Sequence, residues 1–248
     1  VPKLGNHKVI NIDDLGVTFI GLNTLKQNSP LADLQARQAM SYALNIPAIT
    51  KAGNLSGKQA SQLIPAAILG HDPSLKDTPY NPAKAKQLLA SVKNANMPLT
   101  LSFPAGDEGQ VNEITKELNA VGFNVKASVQ PDIGSLVNVA FAGQTDMFYL
   151  AYDSGDLDGL DIIQNVVTVS STNYNNADIN NLVNQASKTL DPATRIKLIQ
   201  QISQKVASDI PDIPLYTQTR NYAYNKNYHL QVDIPADAIG VYFWQVYQ

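Results

Sequence analysis

No cysteine occurs among the 248 residues, which removes disulfides, iron–sulfur clusters, zinc–thiolate sites and thiol nucleophiles together. No apolar run approaches the roughly 18 to 20 residues that span a bilayer as a helix. Charge is sparse: 18 Lys and Arg stand against 21 Asp and Glu, for a formal net charge of -3. The lysines are scattered rather than run together, so the chain lacks the basic footprint that attracts phosphate backbones, and no nucleic-acid partner is expected. The three histidines, His7, His71 and His229, are far apart. None belongs to the i, i+4 pair that puts two ring nitrogens on one helix face toward zinc, and each reads as a surface or loop histidine. There is no Gly-x-Ser-x-Gly elbow to hold a serine nucleophile. The stretch Gly53-Asn54-Leu55-Ser56-Gly57-Lys58-Gln59 imitates a phosphate loop. It is one residue short between its glycines and has Gln59 where a magnesium-binding hydroxyl is needed, so it reads as an ordinary turn. The start, Val1-Pro2-Lys3, has neither an initiator methionine nor a charged-then-apolar signal pattern, and the chain is expected to be a soluble piece of something longer.

What is present is a 44% hydrophobic content, enough for one large domain, or one with a small appendage. Residues 16–23 are rich in β-branched and aromatic side chains and predict a strand. From Leu31 to Leu44 the positions Leu34, Met40, Ala43 and Leu44 predict a helical stripe, with Asp33 in the first turn. A second helix is expected after Asn45, with Pro47 in its first turn, and another after Asn81-Pro82. Residues 53–80 read as loop, because Gly and Pro recur between short apolar runs. Strands are expected over 99–103, 123–129 and 147–152, and helices over 110–121, 133–142, 178–190 and 191–208. Two short strands follow, at 213–216 and 221–224. Alternating strands and helices without a fixed-period repeat predict an α/β layered fold.

The densest chemistry is Tyr152-Asp153-Ser154-Gly155-Asp156-Leu157-Asp158-Gly159-Leu160-Asp161, four carboxylates directly after an apolar strand. Such crowding of negative charge is costly unless a cation is received. As a calcium loop it fails in register, with Ser154 at the first ligand position and Asn165 where a bidentate glutamate is expected. As a glycosidase pair the carboxylates are too adjacent to face each other across a sugar with assurance. A solvated acidic turn with a capping aspartate is a third reading, and a site for a cationic ligand group, such as a peptide N-terminus, is the fourth.

Several stretches, taken together, resemble the extracellular solute-binding proteins of family 5, which carry oligopeptides, dipeptides, nickel complexes and related solutes to ABC importers. They begin with Phe19-Ile20-Gly21-Leu22-Asn23 and the helix Pro30-Leu31-Ala32-Asp33-Leu34-Gln35-Ala36-Arg37-Gln38-Ala39-Met40-Ser41-Tyr42-Ala43-Leu44-Asn45. Ile64-Pro65 with Gly70-His71-Asp72-Pro73, Tyr80-Asn81-Pro82, Leu118-Asn119-Ala120-Val121-Gly122-Phe123 and Asp146-Met147 follow in family order. Asn173-Tyr174 and Ile210-Pro211-Asp212-Ile213-Pro214-Leu215-Tyr216 close the series.

The resemblance implies a type II periplasmic-binding-protein-like lobe, a mixed β-sheet flanked by helices, in a two-lobed protein that encloses its ligand. Residues 1–248 would be the C-terminal lobe, with 16–235 as its core and 236–248 as an interlobe return segment. It further implies an oligopeptide ligand, an ABC transporter permease and the missing N-terminal lobe as partners, and an extracytoplasmic location, periplasmic or as a cell-surface lipoprotein. No enzymatic activity, cofactor or metal is expected; a metal chelate or saccharide is the alternative cargo, and a carboxylate-based hydrolase the more distant one. In peptide-binding members the stretch after the Asp-Met strand reads like Gly-Trp-x-x-Asp-Tyr-x-Asp-Pro, whose first aspartate holds the ligand's α-ammonium. Here Gly155 falls on that aspartate, Tyr152 on the tryptophan, and Asp156 comes one residue late. The ligand-binding residues expected on this basis are Tyr152, Asp153, Ser154, Asp156 and Asp158, with Asp156, or failing that Asp153, on the ammonium.

Overall fold

The computed structural model describes residues 6–170, 173–230 and 246–247. The main sheet is built on β2 (Gly16–Leu22), every residue of which is buried. β2 pairs antiparallel with β6 (Met147–Asp153) on one side and with β7 (Asp212–Asn225) on the other. Beyond β6 run β4 (Pro98–Pro104) and the edge strand β5 (Asn124–Gln130), both parallel to it in sense. Beyond β7 lies β1 (His7–Asp13), and the short β3 (Gly57–Gln59) also pairs with β7. A separate pair, β8 (His229–Leu230) and β9 (Val246–Tyr247), completes the strands among the described residues. The expected return segment, 236–248, lies outside the described residues apart from β9.

Helices cover both faces, so β2 and β6 carry apolar residues of both parities. Ile20, Leu22, Met147 and Tyr149 enter one core, against α1 (Leu34–Ala43), α2 (Ile46–Ala52), α3 (Pro82–Leu89) and α4 (Glu108–Val121). Val17, Phe19 and Phe148 enter the other, with α5 (Ile133–Phe141), α6 (Gly159–Ile162), α7 (Ala177–Lys188) and α8 (Pro192–Asp209). Burying each such side chain is worth roughly 1.5 to 3 kcal/mol, which favours a two-sided strand at the sheet's centre over an edge. Gly21 faces Phe148, and a Cβ there would sit 2.1 Å from the ring; the glycine leaves the space in which Phe148 meets Phe19 edge-on at 6.0 Å.

Local signals set the boundaries. The side chains of Asp33, Asn45, Asn81, Asp132 and Asp191 cap α1, α2, α3, α5 and α8, and Gly122, at φ 118°, stops α4. Three expectations need correction. Leu34 is exposed, because α1 buries Ala36, Ala39, Met40 and Ala43 instead. The loop 53–80 contains β3. The two short strands at 213–216 and 221–224 are one strand, since β7 changes neighbours from β2 to β1 midway and its polar centre, Thr217 to Arg220, pairs with β3 and β1.

Candidate functional site

β6 delivers the acidic segment to the end of the sheet, where Asp153 lies opposite Gly16 of β2. Strand alternation sends Tyr152 and Asp153 to opposite faces. The Tyr152 ring packs against the second core, and its hydroxyl donates to Asp161 Oδ2 at 3.0 Å. Burial, then the Asp161 carboxylate, pushes this phenol up to about 12. Ser154, which is buried, donates from Oγ to the same oxygen at 3.0 Å. Asn165 Nδ2 donates to Asp161 Oδ1 at 2.8 Å. Asp161 is therefore the hub that folds the loop, a role that its place at the end of an acidic run did not reveal.

Asp158 is equally committed. Its Oδ1 accepts from Leu160 N at 2.9 Å and caps α6. Its Oδ2 accepts from Arg195 Nε at 2.9 Å and pairs with Nη2 at 2.7 Å. The backbone is tied down beside it: Leu69 N donates to Leu157 O at 3.1 Å, and Gly159 N to Leu69 O at 2.8 Å. Gly159 is needed at this crossing, since a Cβ would lie 2.5 Å from Ile64 Cδ1 and 2.8 Å from Leu69 O.

Asp153 and Asp156 differ. Asp156 is exposed, and its carboxylate accepts no hydrogen bond from the described residues. Asp153 lies over Gly16, where a Cβ would fall 1.8 Å from its Oδ1, so only glycine admits the carboxylate here. Its Oδ2 is 3.8 Å from Arg220 Nη2, while Arg220 Nε is closer to Asp14, donating to Oδ2 at 2.7 Å. Burial and the Asp14 charge raise the Asp153 pKa, and Arg220 opposes the shift without cancelling it. Asp153 is thus the carboxylate with the weaker share of a common arginine.

Asp14 also lines a groove of about 670 Å³ between β1 and the segment 58–67. Its apolar surface includes Ile10, Ile12 and Ile64, and its polar rim includes Asp13, Lys58 and His71. Lys58 Nζ pairs with Asp13 Oδ2 at 2.5 Å, and His71 Nδ1 lies 2.8 Å from Ile64 O. Ile64 links groove and loop, since it packs on Gly159. Of the five expected site residues, the structure sets Asp153 beside Asp14 and Arg220, leaves Asp156 in solvent, and turns the side chains of Tyr152, Ser154 and Asp158 to partners within the fold. Asp14 and Arg220 escaped the sequence reading because 206 positions separate them and neither carries a local motif.

The structure is an α/β fold, a mixed sheet covered on both faces, with a groove and less-partnered acids at the end of its central strands. The family described as bacterial extracellular solute-binding proteins, family 5 middle, matches residues 2–174, and the chain belongs to this family. It is 26% identical over 217 residues to di/tripeptide-binding protein 1 of Pseudomonas aeruginosa (strain UCBPP-PA14), an alignment covering 82% of this chain and 40% of that relative. It superposes on HbpA2 from Haemophilus parasuis with a TM-score of 0.85 at 21% identity, covering 97% of this chain and 50% of that one. DppA from Helicobacter pylori, in complex with the peptide STSA, gives 0.79 at 19% identity, with 99% and 49% covered. The chain spans half or less of the length of each. The periplasmic-binding-protein-like lobe expected from the resemblance is the fold observed. No helix among the described residues is long and apolar enough to cross a membrane.

Proposed function

We propose that this chain is the C-terminal lobe of the substrate-binding component of an ABC importer, and that the cargo is a short peptide held against an N-terminal lobe. The observation that carries this reading is the unequal partnering of the acids. Asp158 and Asp161 are supplied with donors from within the fold, whereas Asp153 shares one arginine and Asp156 meets solvent. A peptide ammonium brings one positive charge and three N–H donors, which an under-supplied carboxylate accepts strongly. Asp153 is the principal acceptor and Asp156 the second, while backbone groups near Asp153 extend the peptide like an added strand. The apolar floor of the groove receives a ligand side chain.

Family membership and the relative named for di- and tripeptides support the peptide cargo. The protein binds and releases its cargo without altering it, delivers it to a permease, and works outside the cytoplasm, either periplasmic or anchored as a lipoprotein. Calorimetric titration of the full-length protein with free and N-acetylated di- and tripeptides tests the reading. Losing a charge-assisted hydrogen bond costs about 1.5 to 3 kcal/mol, so acetylation and Asp153→Asn should each weaken binding roughly 10- to 100-fold, and not additively. Equal affinity for acetylated and free peptides would refute the ammonium site. No binding of any peptide would redirect the search to metal chelates and saccharides.

A further inference from the structure

A small chamber lies on the far side of the groove wall. α8 ends at Ile210, whose φ of 50° is unusual for a β-branched residue, and the chain turns through Pro211 into Asp212, which pairs with Gly21 at the start of β7. This turn sets Asp212 against a chamber of about 120 Å³. Asp212 is 6% exposed, and its carboxylate has no hydrogen-bond or ion-pair partner among the described residues. Ser203, on α8, also lines the chamber; it is 4% exposed, and its Oγ is without a partner. The orphaned Ser203 hydroxyl and the unpartnered Asp212 carboxylate belong to the lining of one small cavity, which is costly unless something inside it meets them.

The rest of the lining is suited to a hard cation. Ser41, Ser61 and Thr78 add hydroxyl oxygens, and Ser41 Oγ donates to Arg37 O at 3.2 Å, which leaves its lone pairs available. No nitrogen or sulfur ligand of the kind that selects transition metals is present in the lining. The neighbouring charges are engaged elsewhere. Lys76, which also lines the chamber at its exposed side, turns its Nζ to Pro73 O at 3.0 Å. Arg37 donates to Leu31 O and Asp209 O, and Asp209 accepts from Tyr174 and Asn176. Asp72 accepts from Ser74 and Gln204, and His71 contacts Ile64 O.

We propose that this chamber binds a monovalent hard cation, Na⁺ or K⁺, with the Asp212 carboxylate as counter-charge and Ser203 Oγ as a neutral ligand. One carboxylate balances one positive charge, whereas a divalent ion would bury an excess charge. At about 30 Å³ per water, the chamber holds roughly four water-sized occupants, so the ion keeps part of its hydration. Ser61 and Gln62 line both this chamber and the groove, so the ion sits behind the groove wall, away from the acidic loop.

The test is thermal unfolding of the full chain at pH 9 in NaCl, KCl, CaCl₂ and choline chloride at equal ionic strength. One alkali salt should raise Tm by about 3 °C over choline at tenfold saturation. The rise should vanish in Asp212→Asn and diminish in Ser203→Ala. If Asp212→Asn fails to fold, Ser203→Ala carries the comparison. Identical Tm values in the alkali and choline salts, or an alkali effect unchanged by the variants, would overturn the site. Stabilisation by Ca²⁺ alone would overturn the monovalent assignment.

Discussion

Replacing Asp158 by alanine removes two interactions at once. The lost N-cap on α6 costs about 1 kcal/mol. The lost pairing with Arg195 is a charge-assisted contact between side chains 27% and 22% exposed, sheltered enough to be worth about 1.5 kcal/mol or somewhat more. The sum, about 2 to 4 kcal/mol, corresponds to a Tm lower by roughly 5 to 12 °C for a domain of this size. Asparagine separates the two parts. Asp158→Asn can still accept from Leu160 N and should recover about 1 kcal/mol, while the pairing with Arg195 stays weakened. A double-mutant cycle with Arg195→Ala, read by urea unfolding, should return a coupling of about 1 kcal/mol or more. Because Leu69 and Leu157 are hydrogen-bonded beside this pair, loosening it also frees the loop that carries Asp153 and Asp156, and peptide affinity should fall in parallel. A cost for Asp158→Ala below about 0.5 kcal/mol, together with zero coupling, would refute the anchoring role.

Two further outcomes follow from close approach and from burial. Gly159→Ala places a methyl 2.8 Å from the Leu69 carbonyl oxygen and 2.5 Å from Ile64 Cδ1; the backbone must shift, so thermal melts should show a loss of about 1 to 3 kcal/mol. Glu117 is 9% exposed, accepts from Asn45 N at 2.8 Å, and has its carboxyl pushed up to about 7 chiefly by burial. Since this lies above the unfolded value of about 4.3, the native state holds more protons between about pH 4.5 and 7, and stability falls as pH rises through that window. Glu117→Gln keeps an acceptor for Asn45 N–H and removes the titration, so melts at pH 5 and pH 8 should differ less than in the unmutated chain. Parallel pH profiles for the two would show that Glu117 does not titrate in this range.

The parts of the fold legible in sequence are those where local chemistry and burial agree. The Asn81-Pro82 cap, the Gly122 stop and the apolar spacing of Val111, Ile114 and Leu118 all mark elements without reference to the rest of the chain. β1 carries no such mark, because it is largely exposed and owes its strand to pairing with β7. Leu34 misled for the converse reason: a leucine at a plausible helical position faces solvent, while small alanines let α1 approach α3 and the sheet.

Sequence alone sufficed for the α/β alternation, most of the capped helices and the acidic segment after β6, because each rests on neighbours within a few residues, and for the family, because its stretches recur in order along the chain. The residues alone do not rank the four carboxylates, and the family resemblance put Asp156, or failing that Asp153, on the ammonium. Asp158 and Asp161 look the same in sequence as Asp153 and Asp156. Only the tertiary structure brings Arg195 to the first, Tyr152, Ser154 and Asn165 to the second, and Arg220 with Asp14 to the third. An acid's chemistry is set by how many donors reach it and how much water it keeps, and for Asp158 and Asp153 the decisive donors come from distant parts of the chain.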